Sequence, residues 1–421
     1  MSDGTQPQRG MSRRLRLTIT IIVAAVVLAA GGTATALWLA PKDDGAVRPT
    51  ALPKQSPVPD PAPTKTSSPS EKPAESEGLR VIAMGDMLPH DSVNANAQLA
   101  GGGYDYSPFF AGIRAQLDAA DVTFCNQEVP SAGVDFGISG YPTFNAPTEF
   151  SRDLRAAAGC DLVNLATNHA ADKGTSGIAA TRESWDGLAP AVVSGANRSA
   201  EEQRALSIFE QDGMKIALVS FAEYSNAPID GVSLNMMGDS ALVTELLSQA
   251  RASADVVIVS AHWGTEDSHE VNDAQRAFAQ QVADLGADVL VGTGPHVLQP
   301  VTWLDRANGG RTLVWYSIGN MLSTQLELDQ RTGVIAGFDL ARDADGAVQV
   351  SNPNAILTYM HYDWTAEQET AGDLMARANL SLTPLAAADE LLQSTRFGIS
   401  AADQVAASAA ILGPDVTILP E

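Results

Sequence analysis

Five short apolar runs in this chain each end in a cluster of polar residues, and this repeated pattern restricts the fold more than any other feature. The runs and the residues that follow them are 79–84 before Asp86, 121–124 before Asn126 and Glu128, 161–165 before Asn168 and His169, 256–260 before His262, and 288–291 before His296. Short apolar runs that alternate with helical segments are typical of buried strands in an α/β fold. Because the carboxyl ends of parallel strands meet at one edge of a sheet, we expect the clusters to form a single site.

The residue types in these clusters predict a metal site. The candidate ligands are Asp86, Glu128, Asn168, His262 and His296, which offer carboxylate, amide and imidazole groups. The chain has only six histidines, and four of them lie in or just after the clusters. A set of oxygen and nitrogen ligands without cysteine suits Mn, Fe, Zn or Mg and does not distinguish among these metals. Two such ions close together would activate water and bind a phosphoryl group.

A second pair of residues predicts acid–base chemistry beside the metal. His169 can protonate a leaving group or stabilise developing charge, and Asp172 can orient its imidazole. His90, which follows the first cluster, is either a further ligand or a cap for the segment after it. His269 and His361 lie outside the clusters and are predicted to be ordinary surface residues.

The N-terminal part of the sequence predicts export. An uncharged apolar stretch over 17–41 can cross a bilayer at about 1.5 Å per residue, and the basic segment 1–16 before it favours a cytoplasmic N-terminus. These features predict a single-pass protein of the cell membrane with its catalytic domain extracellular. A cleaved signal peptide is the alternative, and it also exports the domain. Residues 42–78 are rich in Pro, Ser and Thr, which predicts a disordered linker.

The rest of the chain divides into a domain over 79–360 and an Ala-rich helical extension over 361–421. Segments 333–340 and 347–357 alternate like strands and predict a hairpin at a sheet edge. The net charge of −24 excludes binding of nucleic acid through general electrostatics. The same acidic surface would attract divalent cations.

The chain has two cysteines, Cys125 and Cys160. In an exported domain they could form a disulfide, but two buried free thiols are also possible because a sequence gives no distance between them. No C-x-x-C spacing is present, so a thiolate zinc site is excluded.

Six motifs occur in a characteristic order. They are Gly85-Asp86, Asn126-Gln-Glu128, Asn168-His169 with Asp172 and Gly174, His262-Trp-Gly-Thr-Glu266, Gly-Pro-His296-Val-Leu-Gln-Pro300, and Tyr316-Ser-Ile-Gly-Asn320. Together they resemble the CapA family, the poly-γ-glutamate capsule biosynthesis proteins among the calcineurin-like metallophosphoesterases. The resemblance runs from about residue 79 to about residue 339. It implies a four-layer α/β/β/α sandwich of metallophosphoesterase type, here preceded by one transmembrane helix.

Carried over to this chain, the resemblance assigns roles to individual residues. The metal-ligand positions are Asp86, Glu128, Asn168, His262 and His296. His169 matches the catalytic histidine. The chain departs from the superfamily pattern at Leu88 and Gly294, each of which stands where a histidine is usual. The expected centre therefore holds one or two divalent ions.

The resemblance also implies a role in making a capsule, poly-γ-glutamate or a related envelope polymer. The first hypothesis is a metal-dependent hydrolase that acts on a cell-envelope polymer or phosphoester, with polymer synthase subunits as possible partners. The alternative is a non-catalytic polymer-binding or assembly subunit. The presence of His169 and Asp172 favours the enzyme, whereas Leu88 and Gly294 favour the scaffold.

Overall fold

The computed structural model describes residues 78–307 and 309–420. Its strands are β1 (Gly78–Met87), β2 (Val122–Gln127), β3 (Leu162–Asn164), β4 (Val192–Ser194), β5 (Ser207–Gln211), β6 (Met214–Ala222), β7 (Val256–His262), β8 (Val289–Thr293), β9 (Val301–Asp305), β10 (Arg311–Trp315), β11 (Asn320–Leu322), β12 (Thr332–Arg342), β13 (Val348–Asp363), β14 (Ala378–Pro384) and β15 (Thr417–Leu419). Its helices are α1 (Asp91–Ala97), α2 (Arg114–Asp118), α3 (Thr148–Ala156), α4 (Gly174–Asp186), α5 (Ala200–Arg204), α6 (Ser240–Ser253), α7 (Asp273–Asp284), α8 (Ala366–Thr370), α9 (Asp389–Gln393) and α10 (Ala401–Leu412).

The strands form two mixed sheets. The first has the order β14-β13-β12-β1-β2-β3-β4, with β11 beside β1 and β15 beside β13, and the second has the order β5-β6-β7-β8-β10-β9. Strands β1 to β4 run parallel to one another, as do β6, β7, β8 and β10. The predicted α/β class is confirmed in this form, a mixed fold with two sheets.

Alternation along the strands places helices outside both sheets. In β1, Val81 and Ala83 pack with side chains of the second sheet, whereas Ile82 and Met84 pack with residues of α1, α3 and α4. Strand β7 alternates in the same way between the shared core and a core with α6 and α7. The sheets therefore face each other, and each fully buried apolar side chain between them contributes on the order of 1.5–3 kcal/mol to folding.

The C-terminal part differs from the prediction in two ways. Strands β12 and β13 form an antiparallel hairpin as expected, but β12 lies beside β1 and β13 beside β14, so the hairpin is inside the sheet. The predicted helical extension 361–421 contributes β14 and β15 as well as three helices. Alternate burial in β14, with Leu380 and Leu382 in the core, is the strand signal there.

Cys125 and Cys160 form a disulfide, with their Cα atoms 5.6 Å apart. The bond links β2 to the turn just before β3, on the side of the first sheet that packs against helices. The alternative of two free thiols is therefore wrong.

No helix within 78–307 and 309–420 is both long and apolar enough to cross a bilayer. The longest of them, α6, has 14 residues, which at about 1.5 Å per residue is shorter than a hydrocarbon core of about 30 Å. This finding overturns the predicted localisation, a single-pass protein of the cell membrane with an extracellular catalytic domain. The segments 1–16 and 17–41 that led to this prediction lie outside the described residues. The same is true of the linker 42–78, except for its last residue.

Candidate metal centre

Neighbouring parallel strands in each sheet bring the polar clusters together. In the first sheet, Asp86 near the end of β1 lies opposite Asn126 of β2, and Glu128 follows the end of β2. In the second sheet, His262 ends β7 opposite Thr293, which ends β8. The strand register thus places each cluster beside the next one, as expected for a site at strand ends.

Three buried groups form a candidate metal site among the described residues. Asp86, Glu128 and His296 each offer one ligand atom, and these atoms lie within 4.8 Å of one another. His262 Nε2 lies 3.7 Å from Glu128 Oε1, and Asn168 Oδ1 lies 3.0 Å from the same His262 nitrogen. The structure therefore brings all five predicted ligands into one cluster, while their role as ligands stays a prediction.

The carboxylate of Glu128 shows that these residues fit a cation. Its side chain is fully buried, and neither oxygen has a hydrogen-bond partner among the described residues. His296 Nε2 lies 3.9 Å from Oε1, too far for a hydrogen bond, and a buried carboxylate that accepts no hydrogen bond is costly. Burial raises the pKa of Glu128 well above its usual value, and the negative charge of Asp86 raises it further. A divalent ion beside Glu128 would remove this cost.

Asp86 and His296 form a buried ion pair. The Nδ1 atom of His296 lies 3.0 Å from Asp86 Oδ2 and 3.1 Å from Asn320 Oδ1, so it carries a proton for these two acceptors. Burial lowers the pKa of His296, but the charge of Glu128 and the hydrogen bond to Asp86 raise it more, to about 10. Burial raises the pKa of Asp86, while the His296 hydrogen bond and charge lower it below the ordinary value.

His262 has the protonation state that a ligand needs. Burial lowers its pKa to about 4, against the opposing effect of Asp86, so the imidazole is neutral at pH 7. Its Nδ1 lies 3.0 Å from Thr293 Oγ1, which can accept the single ring proton. The Nε2 lone pair and the Asn168 oxygen then lie 3.0 Å apart and suit the same ion.

His169 and Asp172 make the predicted contact. His169 Nδ1 lies 2.7 Å from Asp172 Oδ2, which also accepts the Phe144 N–H at 2.7 Å. Since Asp172 is an acceptor, Nδ1 carries the proton, and the Nε2 lone pair faces the Asn226 amide nitrogen at 3.4 Å. The orientation matches the predicted pair, and its catalytic role stays a prediction.

The two departures from the superfamily pattern have a physical basis. Leu88 is buried in the apolar core, with 2% of its surface exposed. Gly294 has φ +104°, and a Cβ there would lie 2.8 Å from the Trp263 carbonyl oxygen and 3.2 Å from His262 Nε2. A histidine side chain at position 294 would therefore not fit this backbone.

Sequence reasoning missed the role of Asn164, which is fully buried. Its Nδ2 donates to Asn126 Oδ1 at 2.5 Å, and Asn126 Nδ2 donates to Asp86 Oδ1 at 2.7 Å. These two hydrogen bonds hold Asp86 of β1 in place from the two strands beside it, β2 and β3. The available signal was an amide residue inside the apolar run 161–165, where only a satisfied polar group is tolerated.

The three remaining histidines are His90, His269 and His361. His90 gives no cap hydrogen bond to α1, and its Nδ1 accepts a long hydrogen bond of 3.4 Å from the Thr324 N–H. His269 is half-buried. His361 is buried with 7% exposure and pairs with Asp363 at 3.0 Å, so its prediction as a surface residue is wrong.

Comparisons with known proteins agree with the family resemblance inferred from the motifs. The family described as Bacterial capsule synthesis protein PGA_cap matches residues 80–325. The PGA biosynthesis protein CapA of Bacillus subtilis (strain 168) is 29% identical over 194 residues, which are 45% of this chain and 50% of that protein. The capsule biosynthesis protein CapA of Bacillus anthracis is 30% identical over 175 residues, 40% of this chain and 41% of that protein. The chain thus matches half or less of the length of these relatives.

Among solved structures, a predicted 5′-nucleotidase from Staphylococcus aureus in complex with α-ketoglutarate is similar with a TM-score of 0.40 and 14% identity. The alignment covers 70% of this chain and 58% of that chain. A likeness at this TM-score has no bearing on function. The family match spans more than half of the chain and confirms the resemblance inferred from the motifs, so this chain belongs to the bacterial capsule synthesis family PGA_cap.

Proposed function

We propose that this chain acts in the biosynthesis of a capsule, poly-γ-glutamate or a related envelope polymer as a metal-dependent hydrolase with phosphoesterase-like chemistry. Family membership supports the part in capsule biosynthesis. The observation that carries the hydrolase is the buried Glu128 carboxylate, which has no hydrogen-bond partner among the residues that the structure describes and lies beside Asp86, His262 and His296. We further propose that the helix–sheet–sheet–helix layers are of the metallophosphoesterase type.

The residues that would hold the ion are Asp86, Glu128, Asn168, His262 and His296. A divalent ion such as Mn, Fe, Zn or Mg supplies Lewis acidity toward a phosphoryl oxygen and lowers the pKa of a water molecule. Asn126 and Asn164 keep the Asp86 carboxylate in place, and Asn320 helps to keep the Nδ1 proton on His296.

His169 would handle the proton of the leaving group. Its Nδ1–H is held by Asp172, so an additional proton on Nε2 gives an imidazolium that the carboxylate stabilises. His169 can then deliver the Nε2 proton to the leaving oxygen. Asn226 lies at this nitrogen and marks the side from which a substrate would approach.

The second candidate function is a non-catalytic polymer-binding or assembly subunit. Leu88 and Gly294 favour it, because the site offers fewer ligands than a two-ion centre needs. Polymer synthase subunits are proposed partners under either function.

The test compares His169→Ala with His269→Ala, a histidine outside the site, in the full chain. We expect His169→Ala to lower hydrolysis of a phosphodiester such as bis(p-nitrophenyl) phosphate by about 10²–10⁴-fold with metal content unchanged. His269→Ala should retain activity. If His169→Ala cells still make the polymer while cells lacking the chain do not, the assembly function holds instead.

A further inference from the structure

A cavity of about 610 Å³ lies beside the C-terminal strands and helices, and none of the proposed metal ligands lines it. Its wall includes cationic, imidazole and hydroxyl side chains and two carboxylates, namely Arg331, Arg396, His361, Ser394, Thr395, Asp363 and Glu369. Tyr362 and Trp364 add aromatic surface. Positive charge, hydroxyl groups and aromatic rings thus occur together in a chain whose net charge is −24, and this combination indicates a ligand-binding site.

Arg331 is the unusual member of this wall. It is 5% exposed, and its Nε donates to the Met360 carbonyl at 3.0 Å. One of its terminal nitrogens is buried and has no hydrogen-bond partner within 78–307 and 309–420. Its guanidinium lies 3.9 Å from the centre of the Tyr362 ring and 4.9 Å from that of Tyr359, which offsets part of its desolvation. Among the described residues no carboxylate forms an ion pair with it. A buried cation without a counter-charge is costly, and a bound anion would remove that cost.

The other polar groups at the cavity support an anionic ligand. His361 is buried, its Nδ1 has no hydrogen-bond partner in the part of the chain that the structure describes, and its Nε2 pairs with Asp363. Arg396 lies at the rim and pairs with Glu327 at 2.9 Å and with Glu369 at 3.1 Å. The acidic groups here are therefore already paired with Arg396 or His361, and the charge of Arg331 remains uncompensated.

One short segment separates the cavity from the metal centre. On the metal side, Asn320 Nδ2 donates to Gln325 Oε1 at 2.5 Å and to the Gln330 carbonyl at 2.8 Å. On the cavity side, the Tyr362 hydroxyl donates to the Gln325 carbonyl at 2.8 Å. Arg331 follows Gln330 directly. A ligand in the cavity would thus lie close to the metal centre without touching its proposed ligands.

We propose that this cavity is a binding site for a carboxylate-bearing chain. A carboxylate would accept hydrogen bonds from Arg331 and Arg396, and the rings of Tyr362 and Trp364 would pack against methylene groups between successive carboxylates. The volume of about 610 Å³ exceeds what a single small anion needs and admits several linked groups. We choose a glutamyl chain as the carboxylate-bearing ligand because of the proposed function. The argument for a binding site in this cavity does not depend on that function.

The test is calorimetric titration of the full chain with a short γ-linked glutamate oligomer at low salt. The titration is done with a chelator present and in the Glu128→Gln variant, so that carboxylates cannot bind to an ion at the metal centre. We expect saturable binding that Arg396→Gln weakens by about tenfold or more, because a charge-assisted contact is lost. Arg342→Gln is the matched control, since Arg342 is 41% exposed against 40% for Arg396 and also pairs with a carboxylate, that of Asp255 at 3.1 Å, although Arg396 has two such partners. Arg331→Gln should weaken binding further in protein whose folding is verified by circular dichroism.

Three results would overturn the proposal. They are the absence of saturable binding, an equal loss of affinity in Arg342→Gln, and binding of inorganic phosphate in place of the glutamate oligomer. The outcome is independent of the metal centre. Cavity binding in a chain that never takes up metal would support this site and contradict the proposed hydrolase.

Discussion

Replacing Glu128 with methionine should stabilise the metal-free protein, although most substitutions in a core do the opposite. Glu128 is 0% exposed, and both of its carboxylate oxygens lack a hydrogen-bond partner within the described part of the chain. An unsatisfied buried polar group costs about 1–3 kcal/mol, and methionine has a similar shape without polar oxygens. We therefore expect Glu128→Met to raise the free energy of unfolding of the metal-free protein by about 2 kcal/mol.

A metal ion should reverse this order. At a free concentration of 100 times its Kd, an ion that binds only the folded state stabilises it by about 2.7 kcal/mol. The unsubstituted protein should show this gain, and Glu128→Met should show none because a ligand is missing. Urea unfolding followed by circular dichroism, with chelator and then with Mn²⁺, measures both effects.

The control is Asp288→Met, at a buried carboxylate whose partners are all present. Asp288 pairs with Arg251 at 2.6 Å and with Arg306 at 2.9 Å, so its removal should destabilise the protein by about 3 kcal/mol with or without metal. The reasoning is refuted if Glu128→Met destabilises the metal-free protein as Asp288→Met does. It is equally refuted if Glu128→Met retains the stabilisation by Mn²⁺.

Three further predictions concern the protein without a ligand. The pKa of His296 is raised to about 10 from an ordinary 6.5, so its ion pair stabilises the metal-free protein fully below pH 6.5, and this contribution is lost as the pH rises through 10. Urea unfolding between pH 6 and 10.5 measures this loss, which His296→Gln should abolish. Removing the disulfide by Cys125→Ala with Cys160→Ala opens a loop of 35 residues, and the free energy of unfolding should fall by about 4 kcal/mol; an unchanged urea midpoint would contradict this. Gly294→Ala combines a positive φ with a contact of 2.8 Å to the Trp263 carbonyl oxygen, so it should lower stability by at least about 1–3 kcal/mol, and thermal unfolding equal to that of the parent would contradict the steric argument.

The candidate centre was predictable to the extent that its signals are local. Asp86, Glu128 and His262 each lie at or just beyond the end of a strand, where an apolar run gives way to polar residues in the sequence itself. Parallel pairing then brings such ends together, whatever the order of strands. The α/β class was predictable for the same reason, because the alternation of strands and helices is also a local pattern in the sequence.

The remaining features depend on distances that no local pattern contains. Asn164 supports Asp86 only because β1, β2 and β3 are neighbours in one sheet. The hairpin of β12 and β13 was predicted to lie at a sheet edge because the next strand, β14, was not recognised in the sequence. The apolar residues Leu380 and Leu382 alternate with polar ones there, but the Ala-rich sequence around them favoured a helix. His361 is buried by contacts between distant segments, and the cavity next to it has no signature in the sequence.

The central claim is that Asp86, Glu128, Asn168, His262 and His296 bind a divalent ion. Elemental mass spectrometry of the purified full chain tests it most directly, with Asp86→Ala and His262→Ala measured alongside. The account predicts about one equivalent of a divalent metal in the unsubstituted protein and its loss in both variants. A folded protein that contains no metal, and that stays metal-free after Mn²⁺ or Zn²⁺ is added, would contradict it.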